Sequence, residues 1–352
     1  MVIQSHKGPY SVVFDTELLK NPSLLYDVTS HYLVDANVAR LYDIELKSIL
    51  DHPSTLVIEA TEDNKSIERV IPVIARLVAN KARRDHMLVA IGGGIIQDIT
   101  CFIASTLLRG MSWSFVPTTL LAQADSCIGS KSSINLGTTK NILGTFNPPN
   151  KIFVCPSFLD TLDRKDILSG IGEILKVHAI DGKEAFDRVG NDYDLMLSDR
   201  KVLLRYIGDA LRIKQRYIEV DEFDNGVRNI FNYGHSFGHA IECATNFQVP
   251  HGIAVTMGMD MANRIASLRG ILPEGHYHRM HPVLRRNYAD YSKAAIPLDA
   301  MLTALSKDKK NTATQLGLIF PLGEDARIER TGVNNDQTFR EQCERALGEM
   351  AT

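Results

Sequence analysis

The first half of this chain alternates short apolar, β-branched runs with stretches of helical spacing, and that rhythm admits few folds. The runs are Tyr10–Phe14, Tyr32–Val34, Leu56–Ile58, Met87–Ile91, Ser114–Val116 and Ile152–Val154. Strand and helix in strict turn imply a mostly parallel sheet with helices on its faces. Between two of the runs, residues 66–81 place Ile67, Val70, Ile71, Ile74 and Leu77 at three- and four-residue steps, an amphipathic crossover helix in which Pro72 is expected to cause a kink. Beyond Pro156 the strand rhythm fades and helical patterns follow at 202–218, 229–245 and 253–267. A length of 352 residues suits two domains better than one of roughly 100–200 residues. The expected organisation is an α/β domain over 1–156 and a mainly helical domain over 157–352, the break falling near Asn147-Pro148-Pro149 and Pro156.

Charge narrows the partners. A formal net charge of -3 and a pI near 6.4 lack the basic excess of a nucleic-acid binder, so any anion must be held by a local site. Residues 1–30 carry Lys7, Asp15 and Glu17 among scattered apolar positions, unlike a signal-peptide core, and no run approaches the ~18 apolar residues of a membrane span. The expectation is a cytoplasmic protein with no membrane partner. Its cysteines, Cys101, Cys127, Cys155, Cys243 and Cys343, are widely spaced with no C-x-x-C pair, which points to reduced thiols instead of disulfides or a zinc knuckle.

Gly92-Gly93-Gly94 follows the run MLVAI and opens a helical pattern over 95–108. Strand, glycine turn and helix together suit a phosphate group, because glycine lets the backbone approach it and the helix N-terminus offers free N–H groups. A plain turn requiring positive φ would look the same. The triplet is not G-x-G-x-x-G, which disfavours an ordinary dehydrogenase fingerprint.

Residues 235–251 hold His235, His239 and His251, an unusual density. His235 and His239 share a helical face if the helix is intact through Gly238, and spacing alone pairs these two. Glu173, three residues before Lys176 in GIGEILK, is the nearest candidate carboxylate outside the cluster. Imidazole nitrogens with one carboxylate suit a divalent metal with a position left open for substrate.

These segments occur in an ordered series: ATEDNKS (60–66), AIGGGIIQD (90–98), RG (109–110), VPTTLLAQADS (116–126), KSSIN with KN (131–141), GIGEILK (170–176), GVRNIFNYGHSFGHAIE (226–242) and HG (251–252). In that series the chain resembles the 3-dehydroquinate synthase and sugar-phosphate cyclase family over essentially its whole length. The resemblance implies a Rossmann-like NAD-binding first domain and a helical second domain for metal and substrate. It implies metal ligation (Zn²⁺ or Co²⁺) by Glu173, His235 and His251, leaving His239 to the substrate phosphate. NAD would lie across Asp35, Asn37, Glu62, Lys65, Gly93, Gly94, Asp98, Thr118, Thr119, Lys140, Thr161 and Leu162. Substrate would meet Asp125, Lys131, Asn141, Lys176, Lys214, Arg228, Asn232, His239 and, from a neighbouring subunit, Arg109, which implies a homodimer. Lys310 is favoured over Lys309 as a further phosphate contact, although the KDKK run also reads as a solvated charge cluster.

The implied reaction takes a phosphorylated seven-carbon sugar acid to a carbocycle. A substrate hydroxyl is oxidised by NAD, phosphate is eliminated as its own base, the hydride is returned, and the ring opens and closes as an aldol. Lys214 and Arg228 would bind a carboxylate, favouring 3-deoxy-arabino-heptulosonate 7-phosphate over the neutral sedoheptulose 7-phosphate, because the guanidinium fork matches a carboxylate. Read without the resemblance, both could be salt-bridged helix residues near Asp221 and Glu222. Gln97, Ser132, Ser133 and Tyr233 depart from the family pattern, so a specialised sugar-phosphate cyclase is an alternative. A metal-dependent alcohol dehydrogenase is another, though it would have no use for Lys131, Asn141 and Asn232.

Overall fold

The computed structural model describes residues 1–137, 139–307, 311 and 315–351. They form two compact units, one of residues 1–163 with 214–224, the other of 164–213 with 225–352.

The first unit is built on a seven-stranded sheet of β1 (Val2–Ile3), β2 (Tyr10–Phe14), β3 (Ser30–Asp35), β4 (Thr55–Ile58), β5 (Met87–Gly92), β6 (Ser112–Pro117) and, after a separate hairpin of β7 (Lys131–Leu136) and β8 (Thr139–Phe146), β9 (Lys151–Val154). Every run expected from the sequence is a strand. The order is β1-β2-β9-β6-β5-β3-β4, parallel throughout except for the β1–β2 pair. Val34, Ile91 and Val116 on the inner strands are fully buried. Burial on both faces of such strands explains why their sequences are continuously apolar; each such side chain contributes about 1.5–3 kcal/mol. The helices of this unit are α1 (Ala36–Leu41), α2 (Lys47–Leu50), α3 (Ile67–Ala79) and α4 (Gly94–Thr106). Ser66 is the N-cap of α3, which runs uninterrupted through Pro72. From β3 the chain moves outward to β4, then returns to the other side of β3 for β5. The carboxyl ends of β3 and β5 therefore flank a topological switch point, where open α/β sheets hold ligands.

The second unit contains α5 (Arg164–Asp181), α6 (Lys183–Asn191), α7 (Tyr193–Ser198), α8 (Arg200–Val220, of which 214–220 belong to the first unit), α9 (His235–Ala244), α10 (His251–Leu268), α11 (Glu274–Tyr288), α12 (Leu298–Ser306) and α13 (Gln337–Ala351). It also carries an antiparallel hairpin absent from the sequence reading, β10 (Gln315–Leu322) with β11 (Arg327–Asn334). The helix expected over 229–245 is two pieces: a 3₁₀ turn at Val227–Asn232, then α9. Gly234 separates them in a left-handed conformation (φ 76°), and a Cβ there would lie 2.6 Å from the Val255 carbonyl.

Glycines also set the helix packing. A Cβ on Gly172 of α5 would sit 2.1 Å from the Gly252 carbonyl of α10, and one on Gly252 would sit 1.9 Å from the Ser169 carbonyl. A Cβ on Gly258 of α10 would sit 2.1 Å from the Gly234 carbonyl. Backbone thus meets backbone where α10 crosses α5 and α9. Of the cysteines, all free, only Cys243 is exposed. No helix among the described residues is long and apolar enough to cross a membrane.

Candidate active site

At the switch point of the first unit, Asp35 ends β3 and caps α1 by accepting from the Asn37 N–H (2.8 Å). Burial pushes its carboxyl up, against those amide bonds. Gly93 is the N-cap of α4 and makes no side-chain cap, leaving the first helical N–H groups without one. A Cβ on Gly93 would lie 3.0 Å from the Thr119 methyl, and one on Gly92 3.2 Å from the Asp35 Cβ. A side chain at either position would therefore crowd its neighbours. Thr118 donates its N–H to the Gly92 carbonyl (2.9 Å), and Thr161 shares a hydrogen bond with the Tyr42 hydroxyl (2.9 Å), with Leu162 next in the chain. A glycine cradle, an uncapped helix N-terminus and Asp35 together fit a dinucleotide.

Beside it, Glu62 and Lys65 lie on a 3₁₀ turn capped by Thr61. Buried Lys65 pairs with Asp98 at 2.8 Å, whose carboxyl is pushed up by burial against that ammonium. Asp98, Lys131, Ser132 and Ser133 line an open cavity of about 380 Å³. Lys131 is ion-paired with Asp224, while Lys140 and Asn141 are exposed on β8. Lys214 is buried and pairs with Asp125 Oδ1 at 2.8 Å, Asp125 lying in a single π-helical turn (Ala122–Ser126). Arg109 is exposed within a run of left-handed residues, Leu108, Arg109 and Gly110 (φ 54°, 64° and 119°). Gln97 closes a reciprocal pair with Ser126, donating to its carbonyl (2.6 Å) and accepting from its hydroxyl (2.7 Å). Ser132 bonds the Thr145 hydroxyl at 2.7 Å.

In the second unit, Glu173 and Lys176 share a face of α5 and are nearly inaccessible at 1% and 2%, with 2.5 Å between Oε2 and Nζ. His235 opens α9 and His251 opens α10. Glu173 Oε1 has no hydrogen-bond partner and lies 3.7 Å from His235 Nε2 and 3.6 Å from His251 Nε2. Two donors each about 2.1 Å from a tetrahedral ion sit about 3.4 Å apart, so this spacing is that of ligands around one ion. The nitrogen donors of His235, His239 and His251 are all within 4.8 Å of one another. The donor set fits a divalent metal, and His239 is close enough to share it.

Glu242, to which the sequence reading gave no role, faces His251 Nδ1 with both carboxylate oxygens at 3.3 Å. A carboxylate behind an imidazole fixes the ring and raises its basicity. Burial lowers the His251 pKa, but Glu242 and Glu173 together outweigh it and the net direction is up. Burial, with the Lys176 charge, holds His235 well below the ordinary value. Arg228 is buried on the 3₁₀ turn, and Asn232 Nδ2 donates to the Asn229 carbonyl (3.0 Å). Tyr233 is buried with its hydroxyl on Asn263 Oδ1. Lys309 and Lys310 lie outside the described residues.

Two family models match: 3-dehydroquinate synthase N-terminal over 55–169 and 3-dehydroquinate synthase C-terminal over 170–311. The chain is 33% identical over 337 residues to a 3-dehydroquinate synthase of Alkaliphilus oremlandii, covering 91% of this chain and 90% of that one. It is 33% identical over 296 residues to that of Alkaliphilus metalliredigens, covering 83% of each. Among solved structures it is similar to ValA, a 2-epi-5-epi-valiolone synthase of Streptomyces hygroscopicus with NAD⁺ and Zn²⁺ bound, with TM-score 0.82, 28% identity, and coverage of 97% and 96%.

Proposed function

We propose that this chain, which belongs to the 3-dehydroquinate synthase family, is a cytoplasmic 3-dehydroquinate synthase, converting 3-deoxy-arabino-heptulosonate 7-phosphate to 3-dehydroquinate and phosphate with NAD and a divalent metal. The observation that carries the reading is Glu173 Oε1, buried, without a hydrogen-bond partner, and facing both His235 and His251. A buried carboxylate oxygen left so costs stability unless a cation completes it. Glu173, His235 and His251 would hold Zn²⁺ or Co²⁺, with His239 turned to the substrate. A divalent ion held there supplies Lewis acidity to the substrate hydroxyls. Gly93 and Gly94 would border NAD, which would supply reversible oxidation of a substrate hydroxyl to a ketone, acidifying the neighbouring carbon.

The side chains supply the rest. Asp35, Asn37, Glu62 and Asp98 offer acceptors to ribose hydroxyls, and Gly93, Gly94, Thr118 and Thr119 border the pyrophosphate; Lys65, Lys140, Thr161 and Leu162 complete the cofactor contacts. Lys131, Asn141, Asn232, His239 and Lys310, with Arg109 of a second copy in a homodimer, would stabilise the phosphate as charge builds on it. Lys214 and Arg228 would take the substrate carboxylate, Asp125 and Lys176 the ring hydroxyls. That Lys214 and Arg228 are both buried supports a role beyond solvated surface charge.

The test is phosphate release by zinc-loaded protein with catalytic NAD⁺, offered 3-deoxy-arabino-heptulosonate 7-phosphate and sedoheptulose 7-phosphate separately. Release from the first alone, without net NADH, is expected. Release from the second alone refutes carboxylate recognition, and NADH accumulating with glycerol refutes the cyclase reading.

A further inference from the structure

Asn135 is 5% exposed and lies where the β7–β8 register shifts between Ile134 and Leu136. Asn135 alone on β7 there faces residues 140–142 of β8, so the extra residues lie on β8; Asn135 is bridged to Ser66 instead, and its side chain bonds in two directions. Its Nδ2 donates to Glu62 Oε1 (2.9 Å) and to the Glu62 carbonyl (3.2 Å), and its Oδ1 accepts the Asn141 backbone N–H (2.8 Å). Asn141 has φ 53°, a conformation asparagine tolerates better than most residues, and the Asn135 bond holds it there. Ser133 adds a second constraint: its hydroxyl donates to Asn141 Oδ1 (2.9 Å) while its N–H is anchored on Asp98 Oδ1 (3.1 Å). With Oδ1 so occupied, the exposed Asn141 amide presents its two Nδ2 hydrogens.

We propose that Asn135 is a positioning residue that locks Glu62 and Asn141 in a fixed relation, and that Ser133 sets which side of the Asn141 amide is presented as a donor. The proposal rests on the assignment of Glu62 to the cofactor and Asn141 to the phosphate. Ser133, one of this chain's departures from the family pattern, thereby orients an anion-binding amide on the facing strand through its hydroxyl.

Calorimetry on zinc-loaded full-length protein tests it, with NAD⁺ as first probe and inorganic phosphate, added to NAD⁺-saturated protein, as second. Ser133→Ala is expected to raise the phosphate Kd about tenfold, the worth of one lost orienting bond, and to leave the NAD⁺ Kd unchanged; Ser133→Thr, which keeps the hydroxyl, restores it. Asn135→Ala is expected to raise both constants about tenfold. If Ser133→Ala and Ser133→Thr behave alike, or Asn135→Ala moves at most one constant, the positioning roles are refuted while normal wild-type binding leaves the site assignment standing. Wild-type protein that binds neither probe refutes the site assignment and this proposal with it. Because the Ser133 pair leaves Asn135 untouched, an Asn135 variant that fails to fold still leaves a decisive result.

Discussion

Gly252→Ala tests whether helix contact at glycine builds the metal centre. The new Cβ would lie 1.9 Å from the Ser169 carbonyl, whereas ordinary contact begins at 3.4 Å, so α5 and α10 must part locally by 3.4 − 1.9 = 1.5 Å. Ser169 precedes Glu173 by one helical turn and Gly252 follows His251 directly, so the separation passes to Glu173 and His251, the proposed ligands. Their 3.6 Å spacing would open to 3.6 + 1.5 = 5.1 Å. Two donors on one ion can be at most about 4.2 Å apart, twice a metal–ligand bond. The variant must lose the metal or distort further to keep it. Overpacking costs about 1–3 kcal/mol, roughly 2–12 °C of melting temperature for units of this size. Gly348→Ala is the control: it lies within α13, a Cβ there meets nothing within 4 Å, and alanine is expected to stabilise it by about 0.5–1 kcal/mol. Elemental analysis after dialysis, with melting curves, provides the assay. A Gly252→Ala protein with wild-type zinc content and melting temperature would refute the argument.

Other perturbations address single groups. Glu242→Ala is expected to weaken zinc binding about 10–100-fold, by chelator competition, with the NAD⁺ affinity unchanged; equal zinc affinity would remove Glu242 from the centre. Arg228→Lys is expected to raise KM for the sugar acid more than it lowers kcat, since an ammonium cannot copy the fork; unchanged kinetics would count against carboxylate binding. His276 is pushed down to about 4, by burial first and then by Arg279 and Lys183, with Asp187 opposing. Its folded pKa lies below the unfolded value near 6.5, so the unfolded chain binds the extra proton between those values. His31, His52 and His178 are lowered by burial in the same direction. Stability is therefore expected to fall as pH drops from about 6.5 to about 4, and urea midpoints that rise over that range would contradict it.

The parallel sheet was readable because its strands are buried on both faces, which leaves continuous apolar runs such as Met87–Ile91. The β7–β8 hairpin left no such trace: β8 is mostly exposed, and β7 spends Ser132, Ser133 and Asn135 on side-chain hydrogen bonds instead of apolar packing. For β10 the signal was present in Leu316–Phe320, an apolar run within a region read as helical. The break at Gly234 was hidden because apolar periodicity continues past it, although the extended Tyr233 (ψ 128°) and the left-handed Gly234 interrupt the helix.

Spacing within one helix sees only part of a cluster gathered from several helices. A period of four pairs His235 with His239, since one helix is all that such a rule can see. The structure brings Glu173 Oε1 to 3.6–3.7 Å of His235 and His251, three side chains from three helices. What encodes that meeting is a set of residues with no side chains, Gly172 and Gly252 at one crossing and Gly234 and Gly258 at the other. Their information lies in the distance they permit between backbones. A reading that looks for ligands alone passes over them, and substitution at these glycines should disable metal binding as surely as substitution of a ligand.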